Sequence, residues 1–277
     1  MTDRYAVIGN PIVHTKSPLI HRMFAEATSQ DMAYGAMEGP LEPAHVFGDI
    51  VLTFRDGGGR GMNVTAPFKL RAFALATDRS EAAALAGAAN ALKFEGGRIH
   101  AENFDGVGLL RDIEHNLRTP LRGLRVLLLG AGGAARGALL PFLAAGPREL
   151  VLCNRDLDKA RSLGAQVSRH GQPRAHAYDE LARLGAFDLV VNATSASLAG
   201  QLPPVPATVF APTTLAYELA YGKGLTPFLR LARNAGVGRI ADGVGMLAEQ
   251  AAEAFAWWRG VRPETRQVIQ TLTVPLD

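Results

Sequence analysis

Cysteine is almost absent: Cys153 stands alone in 277 residues, which excludes an internal disulfide and any cysteine-built metal cluster. It closes the apolar run "LVLC", where a buried structural thiol is expected rather than a nucleophile. Long apolar runs are missing too. None approaches the roughly 18 residues needed to span a bilayer, and the opening "MTDRYAVIG" has neither the basic start nor the apolar stretch of a signal peptide. A cytoplasmic protein with no membrane partner is therefore expected. Charge of one sign is scarce: 29 Lys and Arg against 26 Asp and Glu leave a net charge of +3. No basic cluster marks a nucleic-acid face. His14 has no second ligand at metal spacing, so a structural place is expected for it and no metal is predicted. Trp257 and Trp258 have no basic residues interleaved with them and read as helix packing rather than as a base-stacking platform.

With 48% hydrophobic residues the chain can bury one large core or two modest ones, and its organisation favours two. Short apolar runs alternate with helical patterns, the rhythm of parallel sheets covered by helices. Strand candidates are "YAVIG" at 5–9, "MAYGAM" at 32–37, "RVLLLG" at 125–130, "ELVLC" at 149–153, "FDLVVNA" at 187–193 and "TTLAYEL" at 213–219. A helix is expected over 18–28, with Ser17 as its N-cap and Pro18 at its first position. The charged, proline-bearing stretch "EHNLRTPLRGLR" marks a domain change. Residues 56–61, rich in glycine, read as a conformationally permissive loop. The final "VGMLAEQAAEAFAWWRG" is a strong helix whose apolar positions need a surface to cover.

After "RVLLL", Gly130, Gly132 and Ala135 fit G-x-G-x-x-G/A, the pattern that ends a strand and opens a helix. Glycine there permits a tight turn and lets backbone amides meet a pyrophosphate at the positive end of the helix. About 20 residues further on, an acid would hold the free 2′-hydroxyl of NAD. Here the strand ends in Asn154-Arg155, with Lys159 one helical turn beyond. Two cations suit a 2′-phosphate, so NADP is favoured, with solvent-facing Asp156 as the counter-indication.

A nicotinamide cofactor implies hydride transfer, and a carbinol partner then needs a group to handle its hydroxyl proton. Lys69, ending "NVTAPFK" on an expected loop outside the cofactor domain, is the candidate. Asp105 in "NFDGVG" is placed to hold its ammonium group.

The segments "AVIGNPIVHTKSP", "GMNVTAPFK", "GAANAL", "NFDGVG", "LLGAGGAARG", "NATS", "GKGLTPF" and "DGVGMLAEQAAEAF" occur in an order that resembles the shikimate dehydrogenase family over nearly the whole chain. The resemblance implies an α/β fold: a substrate domain at 1–106, a Rossmann-type NADP domain at 107–242, and a C-terminal helical segment at 243–277 returning to the first domain. It implies reversible reduction of 3-dehydroshikimate to shikimate with NADPH in aromatic amino-acid (chorismate) biosynthesis, by a monomer or homodimer. Lys69 and Asp105 become the catalytic pair. Thr15 and Ser17 would bind the substrate carboxylate, assisted by Tyr221, while Asn63, Thr65, Asn90 and Gln250 would fix the ring hydroxyls. The cofactor set implied is Gly130, Ala131, Gly132, Gly133, Ala134, Ala135, Asn154, Arg155, Lys159, Thr194, Gly243 and Met246.

The chain departs from the family pattern in places. Phe104 stands where N-T-D-G has threonine, Thr15 replaces the first serine of "HSKSP", "GAVNT" becomes "GAANA", "NATSASLAG" lacks the usual Gly-Met, and Glu218 stands where aspartate is usual. Three readings stay open: a shikimate dehydrogenase, a broader quinate/shikimate dehydrogenase, and a non-catalytic cofactor-binding relative.

Overall fold

The computed structural model describes residues 2–276, apart from the Leu198 side chain. The chain forms two compact units, Met1–Gly108 with Ala248–Val268, and Leu109–Leu247 with Ile269–Asp277. Where the sequence points to changes at 106/107 and 242/243, the contacts change unit at 108/109 and 247/248. After Val268 the chain rejoins the second unit.

The first unit runs β1 (Asp3–Gly9), α1 (Ser17–Ala27), β2 (Met32–Glu38), α2 (Val46–Asp56), β3 (Gly59–Val64), α3 (Lys69–Leu75), β4 (Asp78–Arg79), α4 (Glu81–Ala86), β5 (Ala91–Glu95) and β6 (Arg98–Glu102), and then enters α5 (Asp105–Arg111). Its sheet has the order β2-β1-β3-β5-β6-β4. β1 lies parallel to β2 and β3, and β5 runs antiparallel to β3 and β6. The last five residues of β1 are all buried, as expected for a strand covered on both faces. Ile8, Met62, Val64 and Leu92 of the sheet pack with Phe47 and Val51 of α2 and with Phe68 and Ala72. Gly96 and Gly97 both have positive φ and join β5 to β6 in two residues, the backbone that a tight right-twisted hairpin requires.

Three local expectations fail here. Ser17 is the first residue of α1 and not its cap: Lys16 precedes it with helical backbone and no side-chain cap bond. The Ser17 hydroxyl instead accepts from Thr15 Oγ1 at 3.3 Å. The stretch 56–61 is no free loop, because Asp56 ends α2 and Gly59–Gly61 begin β3. Gly61 is needed for packing: a Cβ there would lie 2.5 Å from Trp258 Nε1 and 2.7 Å from the Leu92 carbonyl. Lys69 is not on a loop but opens α3.

The second unit continues with β7 (Arg125–Leu129), α6 (Gly133–Ala145), β8 (Glu149–Cys153), α7 (Leu157–Gln166), β9 (Arg174–His176), β10 (Leu189–Asn192), β11 (Leu215–Glu218), α8 (Pro227–Asn234) and β12 (Arg239–Ala241). Its sheet is parallel throughout, in the order β12-β11-β10-β7-β8-β9. Counted from β7, this is the doubly wound dinucleotide-binding order, with its switch point between β7 and β10. "RVLLL", "ELVLC" and "LVVN" supply its centre, with Leu127, Leu129, Val151, Cys153 and Val190 in one core with Phe228. Burial pushes the Cys153 thiol up to about 12, which suits a structural residue.

α9 (Val244–Arg259) and α10 (Arg266–Leu272) complete the chain. Within the first unit, Trp258 stacks on Tyr5 at 4.8 Å and donates from Nε1 to the Leu92 carbonyl at 3.0 Å. Arg259 pairs with Asp3.

Candidate active site

In the first unit, β3 ends at Val64 and a turn closed by Phe68 N–H donating to the Thr65 carbonyl at 3.0 Å leads into α3. Asn63 and Lys69 thus flank one short connection. The partner residues come from the β6–α5 junction. There the buried Asn103 holds the chain, donating to the Ala88 carbonyl at 3.0 Å and accepting from Asp105 N–H at 3.1 Å. Lys69 Nζ meets Asp105 Oδ2 at 2.5 Å, with the lysine side chain one-third exposed and the aspartate 15% exposed.

Amides frame this ion pair. Asn90 Nδ2 donates to Asp105 Oδ1 at 2.8 Å and to Gln250 Oε1 at 3.2 Å, while its Oδ1 accepts from Phe104 N–H at 2.9 Å. Asn63 Nδ2 donates to the Asn90 carbonyl at 3.2 Å. A carboxylate that receives both an ammonium and an amide donor is held in one orientation, and it fixes the partly exposed Lys69 side chain with it. Thr15 and Ser17 lie at the start of α1, bonded to each other, and Thr65 is tied by its N–H to the Ile8 carbonyl at 3.0 Å.

In the second unit, Gly130 has φ of +113° and donates its N–H to the Cys153 carbonyl at 2.7 Å, a conformation that favours glycine. Gly132 caps α6 without a side-chain bond, and a Cβ added at Gly132 or Gly133 would meet nothing within 4 Å. Ala131 and Ala135 are buried. The uncapped helix start and the open space over Gly132 and Gly133 fit the pyrophosphate of a dinucleotide.

At the end of β8, Asn154 Nδ2 donates to the Asp156 carbonyl at 2.9 Å, and Arg155 is exposed. Asp156 caps α7, accepting from Lys159 N–H at 3.2 Å, and its other oxygen lies 3.7 Å from Lys159 Nζ. Asp156 therefore does not simply face solvent: it engages Lys159, the weaker of the two expected phosphate contacts. Thr194 donates to Asn192 Oδ1 at 2.7 Å. Gly243 abuts the Leu219 carbonyl so closely that a Cβ would lie 2.1 Å from it, and Met246 is half-buried. Tyr221 also belongs to this unit and is 44% exposed.

Residues 7–92 match the shikimate dehydrogenase substrate-binding domain, 113–199 the shikimate/quinate 5-dehydrogenase model, and 243–273 the shikimate 5′-dehydrogenase C-terminal domain. A shikimate dehydrogenase (NADP(+)) of Aromatoleum aromaticum is 53% identical over 277 residues, covering 99% of this chain and 98% of the relative. The chain belongs to the shikimate dehydrogenase family. Among solved structures, an Ael1 enzyme from Pseudomonas putida is 67% identical with a TM-score of 0.95, covering all of both chains. The Thermus thermophilus shikimate 5-dehydrogenase in complex with NADP(H) and shikimate is 30% identical with a TM-score of 0.85, covering 98% of each.

For this family member, several structured polar groups escaped sequence reasoning. His14 is exposed, and the histidine with a structural place is His21, wholly buried in α1 and stacked on Tyr34 at 4.1 Å. Tyr34 donates to Asn63 Oδ1 at 2.7 Å. Glu218 is buried at the end of β11 and accepts from Asn192 Nδ2 at 2.9 Å, from Thr226 Oγ1 and Ala220 N–H at 3.2 Å each, and from Ser197 Oγ. Burial raises its pKa, and those donors work against the rise. Asp112, nearly inaccessible, accepts from Tyr217 at 2.7 Å against Gly245, where a Cβ would lie 1.9 Å from the carboxylate. Tyr34 lies in the expected strand "MAYGAM", but its partner Asn63 is 29 positions away; Asn192 and Ser197 lie 26 and 21 positions from Glu218, and Tyr217 lies 105 from Asp112.

Proposed function

We propose that this protein is an NADP-dependent oxidoreductase that interconverts 3-dehydroshikimate and shikimate. The observation that carries the reading is the Lys69–Asp105 ion pair set in its frame of Asn90 and Gln250. When bound, NADPH supplies the hydride that reduces the ketone carbon. Lys69 donates the proton that the new alkoxide takes up and recovers it in the oxidative direction. Asp105 holds the ammonium in place and, with Asn90, orients it. Asn63, Thr65, Asn90 and Gln250 supply amide and hydroxyl groups that match a ring bearing several hydroxyls, and an analogue lacking one forfeits a hydrogen bond. Thr15 and Ser17 supply hydroxyls for the carboxylate.

The glycine turn, with Ala131, Ala134 and Ala135, seats the pyrophosphate. Asn154, Arg155 and, more weakly, Lys159 meet the adenosine end, and Thr194, Gly243 and Met246 complete the cofactor site. The same reading places the enzyme in the cytoplasm, in the chorismate pathway, as a monomer or homodimer with small-molecule partners.

Spectrophotometric assay of shikimate and quinate, each with NADP and NAD, tests the reading. Shikimate with NADP is expected to exceed quinate at least about tenfold in kcat/KM, about 1.4 kcal/mol of discrimination. Equal or reversed efficiencies favour the broader quinate/shikimate activity. Cofactor binding without turnover of any ring acid removes the catalytic reading.

A further inference from the structure

We propose that Tyr34 is a positioning residue of the substrate site: its hydroxyl fixes the direction in which the Asn63 amide faces. The inference rests on the reading of the first unit as the ring-acid site and adds to it a residue on β2, outside the motifs that mark the site.

The argument begins with the two ends of one amide. Tyr34 donates to Asn63 Oδ1 at 2.7 Å, and Asn63 Nδ2 donates to the Asn90 carbonyl at 3.2 Å. Turning the amide over would set two carbonyl oxygens against each other at Asn90 and remove the acceptor from the phenol. The Tyr34 contact and the Asn90 contact therefore select the same orientation. Asn63 is itself 7% exposed, so a wrong orientation would leave buried polar atoms without partners.

The phenol is held as firmly as the amide. Its ring stacks on His21 at 4.1 Å with an interplanar angle of 7°, and Trp258 flanks it at 6.4 Å. Burial raises the Tyr34 pKa well above 10.0, against an opposing influence of the Ser17 hydroxyl, so the oxygen stays protonated and remains a donor. Tyr34 also lines one cavity with Thr15, one of the two expected carboxylate-binding hydroxyls, and Thr15 in turn donates to Ser17 at 3.3 Å. Tyr34 thus joins the carboxylate end of the site to the amide end, and the chain continues from Asn90 to Asp105 and Gln250. A disturbance at Tyr34 would reach substrate binding before it reached proton transfer, because Asn63 meets the backbone carbonyl of Asn90 whereas the Asn90 side chain holds Asp105.

The test is Tyr34→Phe, which keeps the ring and its stack and removes only the hydroxyl. KM for shikimate is expected to rise about threefold to tenfold, the effect of one lost hydrogen bond, while kcat changes less than about twofold and KM for NADP is unchanged. In the Asn63→Ala background the same substitution should add little, because Tyr34 acts through Asn63. A Tyr34→Phe enzyme with lowered melting temperature and unaltered KM has lost a structural residue only, and overturns the proposal. So does a KM effect that multiplies in full on Asn63→Ala. A wild type inert toward every ring acid fails earlier: it overturns the functional reading, and this inference with it.

Discussion

His21 offers the sharpest physical test of the first unit. The imidazole is wholly buried, stacked on Tyr34 and 5.5 Å from Trp258, and neither ring nitrogen has a hydrogen-bond partner among the described residues. Burial lowers its pKa from 6.5 to about 3, the Asn63 amide opposing this only in part. The folded state therefore holds a neutral ring throughout the range in which the unfolded chain takes up a proton. The sign follows: the contribution to stability is fully present above about pH 7.5 and is lost as pH falls through 6.5 toward 3. At pH 5, 1.5 units below the unfolded value, the loss is about 2 kcal/mol, from about 1.36 kcal/mol per unit. His21→Phe preserves an aromatic ring against Tyr34 and removes the titrating group. It also removes two unpartnered polar atoms, so about 1–3 kcal/mol of extra stability is expected at pH 7.5. Urea unfolding of wild type and variant at pH 7.5 and pH 5, followed by tryptophan fluorescence, reads this directly, since the chain's two tryptophans, Trp257 and Trp258, both belong to the same unit. Equal losses in the two proteins between these pH values would refute the reasoning.

Lys69→Ala is expected to lower kcat about 100-fold to 10,000-fold, the usual effect of removing a general acid/base, whereas Asp105→Asn should disturb both KM and kcat; steady-state kinetics with shikimate and NADP checks both. A near-normal kcat for Lys69→Ala would defeat its assignment. Arg155 makes no ion pair among the described residues, whereas Lys159 leans on Asp156. Arg155→Ala should therefore reduce kcat/KM with NADP about 10-fold to 150-fold, the effect of losing a hydrogen bond to a charged group, while changing NAD use far less. Equal losses with both cofactors would show that Arg155 does not meet the 2′-phosphate.

The second unit is the more legible in sequence because its central strands are buried on both faces. "RVLLL", "ELVLC" and "LVVN" are continuous apolar runs, and the glycine turn announces where a helix begins. In the first unit, β3 was hidden by its own packing: Gly59 and Gly61 are small because Phe54 and Trp258 press against them, and composition alone reads such glycines as a loop. The hairpin β5–β6 was missed as well, although its Glu-Gly-Gly-Arg connection has the residues a two-residue turn requires. Ser17 illustrates the limit of capping rules, since its hydroxyl had a nearer partner in Thr15. Motif residues such as Lys69 and Asp105 could be named, but the sequence says nothing of the order in which amides connect them. Asn90 meets Gln250 across 160 positions, and Tyr34 meets Asn63 across 29.

Phe104 stands next to Asp105 where the family pattern has threonine, and its packing accounts for it. The ring lies edge-on to Trp257 at 5.7 Å and joins the cluster of Tyr5, Ala91, Ala254 and Trp258. Its contribution to the site comes through the backbone, where its N–H donates to Asn90 Oδ1 at 2.9 Å, a bond that does not depend on side-chain identity. With that donor in place, the Asn90 amide keeps its NH2 toward Asp105, and Asp105 keeps its second oxygen for Lys69. Exchanging a hydroxyl for a phenyl ring at 104 therefore changes what covers α9 while leaving the frame of the ion pair intact. The side chain that marks this chain as unusual lies on the packing face of the β6–α5 junction, and the group that braces Asn90 is its backbone N–H.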